Sequence, residues 1–211
     1  MASALQKLQS KIGSAPDGSF GPQTARAIQK HYDLSNRRAA HLLGQVVHES
    51  GSFLHVSENL NYSADALNKV FKRYFKTKED AKAFERQPEK IANFVYMDAY
   101  RTPRGKLGNV QEGDGWLFRG RGFLQCTGRN NYLQFSKDMN LPQVMYNPDL
   151  LASEYAMESA IWFFNRNQVW ETCDQGVNDA VIRKVTKKVN GGYNGLNHRH
   201  EETIKIYDWL R

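Results

Sequence analysis

Cysteine is scarce in this sequence, whose 211 residues include two, Cys126 and Cys173. Two cysteines are too few for the disulfide framework of a small secreted scaffold. Neither belongs to a CxxC pair or to a Cys/His cluster with the spacing of metal ligands. We therefore expect buried free thiols, and neither a metal nor another cofactor.

Long apolar runs are also missing. No stretch approaches the ~20 apolar residues that a membrane-spanning helix needs, so no membrane span is expected. The first residues, MASALQKLQSKIG, alternate polar and apolar positions and lack the continuous apolar centre of a secretory signal. The sequence thus predicts a protein that stays in the cytoplasm where it is made unless something else releases it.

The charge, in contrast, is unbalanced toward the positive side. Lys and Arg number 29 and Asp and Glu 22, which gives a formal net charge of +7. This excess favours an acidic or polyanionic partner. Nucleic acid and an anionic cell envelope are the two candidates, and charge alone does not separate them.

Apolar residues make up 40% of the chain, enough to bury a substantial core, and they mostly recur at helical steps of three and four. The predicted helices cover about 2–12, 22–32, 36–49, 63–75, 78–86, 88–101, 128–138, 152–166, 177–189 and 196–210. No stretch alternates long enough for a substantial sheet, although short hairpins near 53–62 and 117–126 fit the pattern. Residues 102–122, rich in Gly, Pro and Arg, predict a long functional loop. The expected fold class is mainly α, with a groove lined by loops.

Two glutamates nine residues apart, Glu49 and Glu58, have contrasting surroundings. Glu49 ends a helix that Ser35 or Asn36 can cap and that Gly51 can terminate. There the negative helix end and partial burial would raise the pKa of its carboxyl. Glu58 lies in the polar stretch HVSENLNYS, whose donors would favour the ionised form. Acid–base cleavage of a glycosidic bond needs this asymmetry, but ordinary surface glutamates at this spacing are also common.

Two further segments combine glycines with polar and aromatic side chains. Residues 113–132, GDGWLFRGRGFLQCTGRNNY, offer flat rings and amide or guanidinium donors, which suit a sugar with apolar faces and a polar rim. The spacing matches no phosphate-binding loop. FRGRGF could stack on single-stranded nucleic acid, but no RNA-recognition or helix-turn-helix pattern accompanies it. Residues 189–199, VNGGYNGLNHR, fit a helix end and a turn, and leave Asn190, Asn194 and Arg199 available to a ligand.

Four motifs, HESGSF, ENLNYS, FRGRGFLQCTGRNNY and VNGGYNGLNHR, in this order and at these separations, resemble the family 19 glycoside hydrolases. More closely, they resemble the bacteriophage endolysins of that family, over about residues 23–211. The resemblance implies a mainly α, two-lobed, lysozyme-like domain with short hairpins and a substrate groove between the lobes. It also implies inverting hydrolysis of β-1,4 bonds in bacterial peptidoglycan for host-cell lysis, by a protein held in the host cytoplasm until it is released to the cell wall.

The resemblance also implies roles for individual residues. The general acid falls on Glu49, the general base that activates water falls on Glu58, and Thr127 helps to hold that water. No metal takes part. The candidate substrate-binding residues, taken from the same motifs, are His48, Tyr62, Trp116, Arg121, Gln125, Asn131, Asn190 and Arg199.

The N-terminal segment resembles a second kind of domain. PDGSFGPQTARAIQKH is similar to the core of peptidoglycan-binding modules, but residues 1–32 span only about half of a usual module. We therefore divide the chain at residue 22, into an N-terminal helical hairpin at 1–22 and a catalytic domain at 23–211. The hairpin is either a truncated peptidoglycan-binding element or an N-terminal decoration of the catalytic domain.

Two alternative functions stay open. A chitinase would apply the same chemistry to GlcNAc polymers, although plant chitinases of the family carry disulfides and longer loops that this chain lacks. A non-catalytic protein that binds cell wall or nucleic acid is compatible with the charge, but two glutamates and the hydroxyl favour an enzyme. The expected partners are peptidoglycan glycan strands and the anionic bacterial envelope, without nucleic acid, for a monomeric protein.

Overall fold

The computed structural model describes residues 2–211 and is mainly α-helical, as predicted. Twelve α-helices lie in this range: α1, Ala4–Lys11; α2, Pro22–His31; α3, Asn36–Glu49; α4, Ala64–Val70; α5, Lys78–Lys82; α6, Pro88–Val95; α7, Asp114–Leu117; α8, Arg129–Asp138; α9, Ala156–Arg166; α10, Trp170–Cys173; α11, Asp179–Asn190; and α12, Leu196–Leu210. Short 3₁₀ segments cover Asp98–Tyr100, Pro103–Gly105, Pro142–Met145 and Pro148–Ala152. None of these helices is long and apolar enough to cross a membrane.

The predicted hairpins are reduced to isolated bridges in the described residues. Arg121 forms one antiparallel bridge with Ser57 and another with Cys126. Phe53 and Gln125 have positive φ angles of 69° and 53°, which interrupt extended backbone on either side of the bridges. The pairing stays at isolated bridges.

The ends of α3 follow their local sequence. The hydroxyl of Ser35 accepts a hydrogen bond from the backbone N–H of Arg38, which caps the helix. Gly51, with a φ of 55°, follows the helix in the left-handed conformation. Both predictions are confirmed, and Glu49 is the last residue of the helix. By comparison, α4 and α6 end five or six residues earlier than predicted, at Val70 and Val95.

The chain divides into two compact units, in agreement with the expected two lobes. The first unit contains the residues up to Val56, Gly122–Gln125 and Leu150–Arg211. The second contains Ser57–Arg121 and Cys126–Asp149. Each unit has its own apolar core.

The first unit is built around α3, whose residues 39–47 are all buried. α12 packs closely against it at Gly44, where an added Cβ would lie 3.0 Å from the backbone of Thr203. α1 joins the same core through Leu5 and Leu8, and the functional division at residue 22 stays a prediction. Cys173 is buried there as a free thiol whose pKa burial raises to about 12.

The second unit has a core rich in aromatic rings. α4, α5 and α6 contribute buried apolar residues, among them Leu67 and Ile91, and the rings of Phe75, Phe84 and Phe94 pack on one another. α7 lies against α6 because Gly115 has no side chain. A Cβ at this position would meet the backbone of residues 92–93 at less than 3.0 Å. This contact positions the beginning of the 113–132 segment against α6.

Candidate active site

In the first unit, Glu49 is held by an arginine from the last helix. Nη2 of Arg199 lies 2.5 Å from Oε1 of Glu49, whose side chain is 26% exposed. The guanidinium itself is buried, and its other nitrogens are also engaged. Nη1 donates to Oε1 of Gln45 at 2.6 Å, and Nε donates to the carbonyl of Asn194 at 3.0 Å. A fully bonded guanidinium fixes both the place and the orientation of the Glu49 carboxyl.

This ion pair joins two of the predicted site residues. The sequence predicts a helix end and apolar neighbours for Glu49, but no cation. The guanidinium of Arg199 donates a hydrogen bond to that carboxyl at close range. Arg199 was predicted as a substrate contact, and the structure brings its donors to Glu49 instead. A direct contact with substrate stays a prediction.

His48 lies beside this pair and contacts the same C-terminal segment. Its Nδ1 is 3.0 Å from Nδ1 of His198, so one ring must donate and the other accept. Burial lowers the pKa of His48, and the nearby charge of Arg199 lowers it further. Gly195 makes the approach possible, because a Cβ there would lie 2.0 Å from the His48 ring. The HES and NGLNHR motifs therefore meet in space.

The other two predicted residues of the first unit lie at a helix end and in a turn. Asn190 is the last residue of α11 and is exposed. Gln125 is half-buried, has a positive φ of 53°, and its side-chain amide donates weakly to the carbonyl of Gly122 at 3.4 Å. Their roles in substrate binding stay predictions.

In the second unit, Glu58 is largely buried. Its Oε1 accepts a hydrogen bond from the hydroxyl of Tyr96 at 2.5 Å. Its Oε2 is buried and has no hydrogen-bond partner among residues 2–211. Burial raises the pKa of Glu58, and the hydrogen bonds from Tyr96 and Gly120 together with the charge of Arg119 oppose the rise without cancelling it.

The sequence predicts that the surroundings of Glu58 favour its ionised form. This prediction is wrong, because the net effect of the surroundings is to raise its pKa. The neighbouring amides do not serve the carboxyl: the Oδ1 of Asn59 accepts from the backbone of Asn61 and closes a local turn. The groups that do favour the ionised form come from elsewhere in the unit. Desolvation outweighs them.

Aromatic and cationic side chains surround Glu58. The guanidinium of Arg119, whose charge acts on Glu58, lies 3.7 Å from the ring centroid of Trp116. Burial raises the pKa of Tyr62, and the charge of Glu58 adds to that rise. Tyr62 and Trp116 were predicted. Tyr96 was missed because nothing in the sequence distinguishes a tyrosine that follows α6 from any other.

Trp116 also lines an open pocket of about 600 Å³. Its other lining residues, from the start of α6, are Gln87, Pro88, Glu89, Lys90 and Asn93. The Oδ1 of Asn93 accepts from the backbone N–H of Trp116 at 2.8 Å and so fixes the indole relative to α6. A ring bordered by amides has the composition expected for a sugar contact.

Arg121 occupies the interior of the second unit, where it is 2% exposed. Its Nε lies 2.7 Å from Asp149, and its Nη1 donates to the carbonyl of Leu117 at 2.7 Å and to the hydroxyl of Tyr132 at 3.2 Å. The sequence places Arg121 among the donors for a ligand, and a direct contact with substrate stays a prediction. The structure gives this guanidinium internal acceptors, so it braces the loop before α8.

Thr127 and Asn131 lie together at the start of α8. Thr127 is half-buried and precedes Gly128, the N-cap residue, whose φ is 93°. The side-chain amide of Asn131 donates to the carbonyl of Thr127 at 2.8 Å. This bond orients the turn that carries the predicted water-binding hydroxyl.

Comparison with known proteins gives two relevant similarities. No family model matches the chain. A glycosyl hydrolase family 19 domain-containing protein of Haemophilus influenzae is 38% identical over 178 residues, which cover 82% of this chain and 80% of that protein. An endochitinase of Arabidopsis thaliana is 27% identical over 197 residues, which cover 88% of this chain. The aligned part is about half, 52%, of that endochitinase.

Proposed function

Because the chain belongs to glycosyl hydrolase family 19, we propose that it is a phage endolysin that hydrolyses β-1,4 glycosidic bonds of bacterial peptidoglycan with inversion. Membership makes it a glycoside hydrolase, and the substrate, mechanism and phage origin are the proposal. The observation that carries it is the fixed position of the two motif carboxyls, Glu49 on the buried Arg199 and Glu58 on the hydroxyl of Tyr96. The protein would be made in the host cytoplasm and act once it reaches the wall.

Glu49 takes the part of the general acid. It donates its proton to the oxygen of the leaving sugar, so a carboxylate remains after the step. Arg199 stabilises that carboxylate and, through its bonds to Gln45 and Asn194, keeps it in position. The same guanidinium thus orients the carboxyl before and after the proton transfer.

Glu58 takes the part of the general base. Tyr96 holds Oε1, which leaves the buried Oε2 as the acceptor for a proton from the attacking water. A raised pKa makes the ionised carboxylate a stronger base, provided that the working pH lies above that pKa. The hydroxyl of Thr127 would orient the water without exchanging a proton.

Acid and base catalysis do not account for the whole rate enhancement. Each positioned group contributes about 10²- to 10⁴-fold, so two groups together give about 10⁴- to 10⁸-fold, whereas enzymes accelerate slow hydrolyses by up to ~10¹⁷-fold. Distortion of the sugar ring would supply a further part. The ring of Trp116 and the amide of Asn93 are candidates to hold a sugar in such a conformation.

The charge distribution supports an anionic envelope as a second partner. Residues 69–78, KVFKRYFKTK, contain five cations and no acid. Lys69, Lys72 and Lys76 are exposed and have no ion pair in the described structure, while Phe75 is buried in the core of the second unit. We call residues 69–78 the cationic segment.

A chitinase is the second candidate, favoured by the similarity to the Arabidopsis endochitinase. The decisive experiment is digestion of purified peptidoglycan and of chitin oligomers, with mass spectrometry of the new reducing-end sugar and NMR of its initial anomeric form. We expect an inverted product from peptidoglycan, with the same rate in EDTA. Cleavage of chitin alone would establish the second candidate, and loss of activity on chelation would exclude the two-carboxylate mechanism.

A further inference from the structure

A second pocket lies in the first unit, apart from the residues assigned to bond cleavage. It has a volume of about 390 Å³ and lies between the first turns of α11 and α12. Its lining residues are Asp179, Arg183, Leu196, Asn197, His200 and Glu201. Four of the six are ionisable, and both signs of charge occur.

Arg183 is the cation of this pocket. Its guanidinium carbon lies 3.9 Å from the ring centroid of Tyr193, an exposed residue of the glycine-rich loop before α12. Stacking restrains the guanidinium plane but uses none of its N–H groups. No carboxylate among residues 2–211 pairs with it. Its donors therefore remain available to an external carboxylate, which a planar guanidinium binds in a bidentate manner.

The acids of the pocket are Asp179 and Glu201. One oxygen of Asp179 lies 2.7 Å from Nε2 of His200, which leaves its second oxygen accessible on a side chain that is 94% exposed. Glu201 is exposed and has no hydrogen-bond or ion-pair partner in the described structure. These carboxylates can accept hydrogen bonds from an ammonium group while Arg183 binds a carboxylate.

The pocket lies on a different face of α12 from the catalytic glutamate. Arg199 points toward Glu49, whereas Asn197, His200 and Glu201 line the pocket. At 100° per residue, these three positions lie between about 100° and 200° around the helix from Arg199. A glycan strand bound at Glu49 would therefore reach the pocket only through a branch.

We propose that this pocket binds the stem peptide of peptidoglycan, through a group that carries both a free carboxylate and a free amine. The inference rests on the proposed function, since it requires peptidoglycan as the substrate. Stem peptides branch from alternate sugars and carry free carboxylates and amines. Four extended residues span about 13 Å, comparable with the 10–12 Å diameter of a helix with its side chains. Chitin has no such branch, so the pocket would distinguish the two polymers.

The test compares two substrates that differ only in the branch. One is intact peptidoglycan, and the other is the same glycan after an N-acetylmuramoyl-L-alanine amidase has removed the peptides. We expect Arg183→Ala to raise KM on intact peptidoglycan about 3- to 10-fold, with kcat unchanged and no effect on the stripped glycan. Arg183→Lys keeps the charge but cannot bind a carboxylate in a bidentate manner, so it should give an intermediate KM.

Matched controls and a direct probe complete the design. Lys187→Ala removes another exposed cation from α11 and should leave KM on both substrates unchanged. The tetrapeptide released by the amidase should bind the wild-type protein in a calorimetric titration, and Arg183→Ala and Glu201→Gln should each weaken it. Equal effects of Arg183→Ala on both substrates, or no effect on either, would overturn the inference. If the wild-type protein cleaves neither substrate, the proposed function fails. The titration with the peptide still shows whether the pocket binds it.

Discussion

The guanidinium of Arg199 holds the carboxyl of Glu49 and, one helical turn earlier on α3, the side chain of Gln45. A single buried cation from α12 thus determines where the last residue of α3 directs its carboxyl. Loss of this arginine would leave several internal acceptors without a donor, so its replacement would affect folding and activity together. Substitutions at Glu49 itself separate the two effects.

Glu49→Gln keeps an oxygen that can accept from Arg199, so the variant should fold with a melting temperature close to that of the wild type. It cannot donate the catalytic proton, so turnover of peptidoglycan should fall about 10²-fold or more. Steady-state kinetics measures the turnover, and calorimetry of the same preparation measures the melting temperature. Glu154→Gln, at an exposed ion pair with Lys7, is the control and should lose neither. A fully active Glu49→Gln would disprove the assignment of the general acid.

Glu58→Gln removes the base rather than the acid, and leaving-group chemistry separates the two roles. An activated aryl leaving group needs little protonation, so an aryl glycoside should restore activity to Glu49→Gln more than to Glu58→Gln. Thr127→Ala should cost less than either, because it orients water and transfers no proton. Rates on an aryl glycoside relative to peptidoglycan provide the measurement. Equal rescue of both glutamine variants would contradict the separate roles.

Tyr96→Phe should shift the pH dependence of the reaction. The hydroxyl of Tyr96 lowers the pKa of Glu58 against the larger effect of burial, so its removal raises that pKa further. A base must be ionised, and the acidic limb of kcat/KM should therefore move to higher pH. Tyr100→Phe, at a tyrosine that is 53% exposed, should leave the limb in place. An unmoved or lowered limb in Tyr96→Phe would show that Glu58 does not govern it.

Gly44→Ala should destabilise the first unit. The new methyl group would lie 3.0 Å from the backbone of Thr203 on α12, which cannot move away without disturbing the helix pair. Overpacking of this kind costs about 1–3 kcal/mol of the free energy of unfolding. Gly21→Ala, where no atom lies within 4 Å, is the control. Urea denaturation of both variants should show a lower midpoint for Gly44→Ala alone.

The cationic segment should govern binding to anionic surfaces. Lys69→Glu with Lys72→Glu should weaken sedimentation with purified cell walls. Lys30→Glu with Lys187→Glu, which change the net charge equally, should have less effect. Salt should weaken wild-type binding, because exposed charges are screened over roughly 10 Å at 0.1 M and 3 Å at 1 M. Equal losses in the two double variants would mean that net charge, and not this segment, attracts the protein.

The parts of the fold that could be predicted are those specified by adjacent residues. Ser35 and Gly51 mark the two ends of α3 within a few positions, and the end of the helix places Glu49. Capping and left-handed termination depend only on local sequence. The order of the motifs likewise identified Glu58 and its segment, but it did not predict which groups surround the carboxyl.

What could not be predicted depends on residues that are distant in the chain. The partner of Glu49 is 150 positions away, and the hydroxyl on Glu58 is 38 positions away. Local polarity suggested donors for Glu58, yet burial decides the direction of its pKa. The interior position of Arg121 was hidden for the same reason, since a sequence window does not show which arginine the core encloses.

The separation of Glu49 from Arg199 along the chain also sets an order of events during synthesis. A nascent chain that has passed α11 already contains both proposed catalytic glutamates, but the guanidinium that fixes the first of them is still missing. The first unit can complete its packing only when α12 has left the ribosome and docked on Gly44. Hydrolytic competence should therefore appear late in translation, and chains interrupted before α12 should be inactive even with every earlier motif intact.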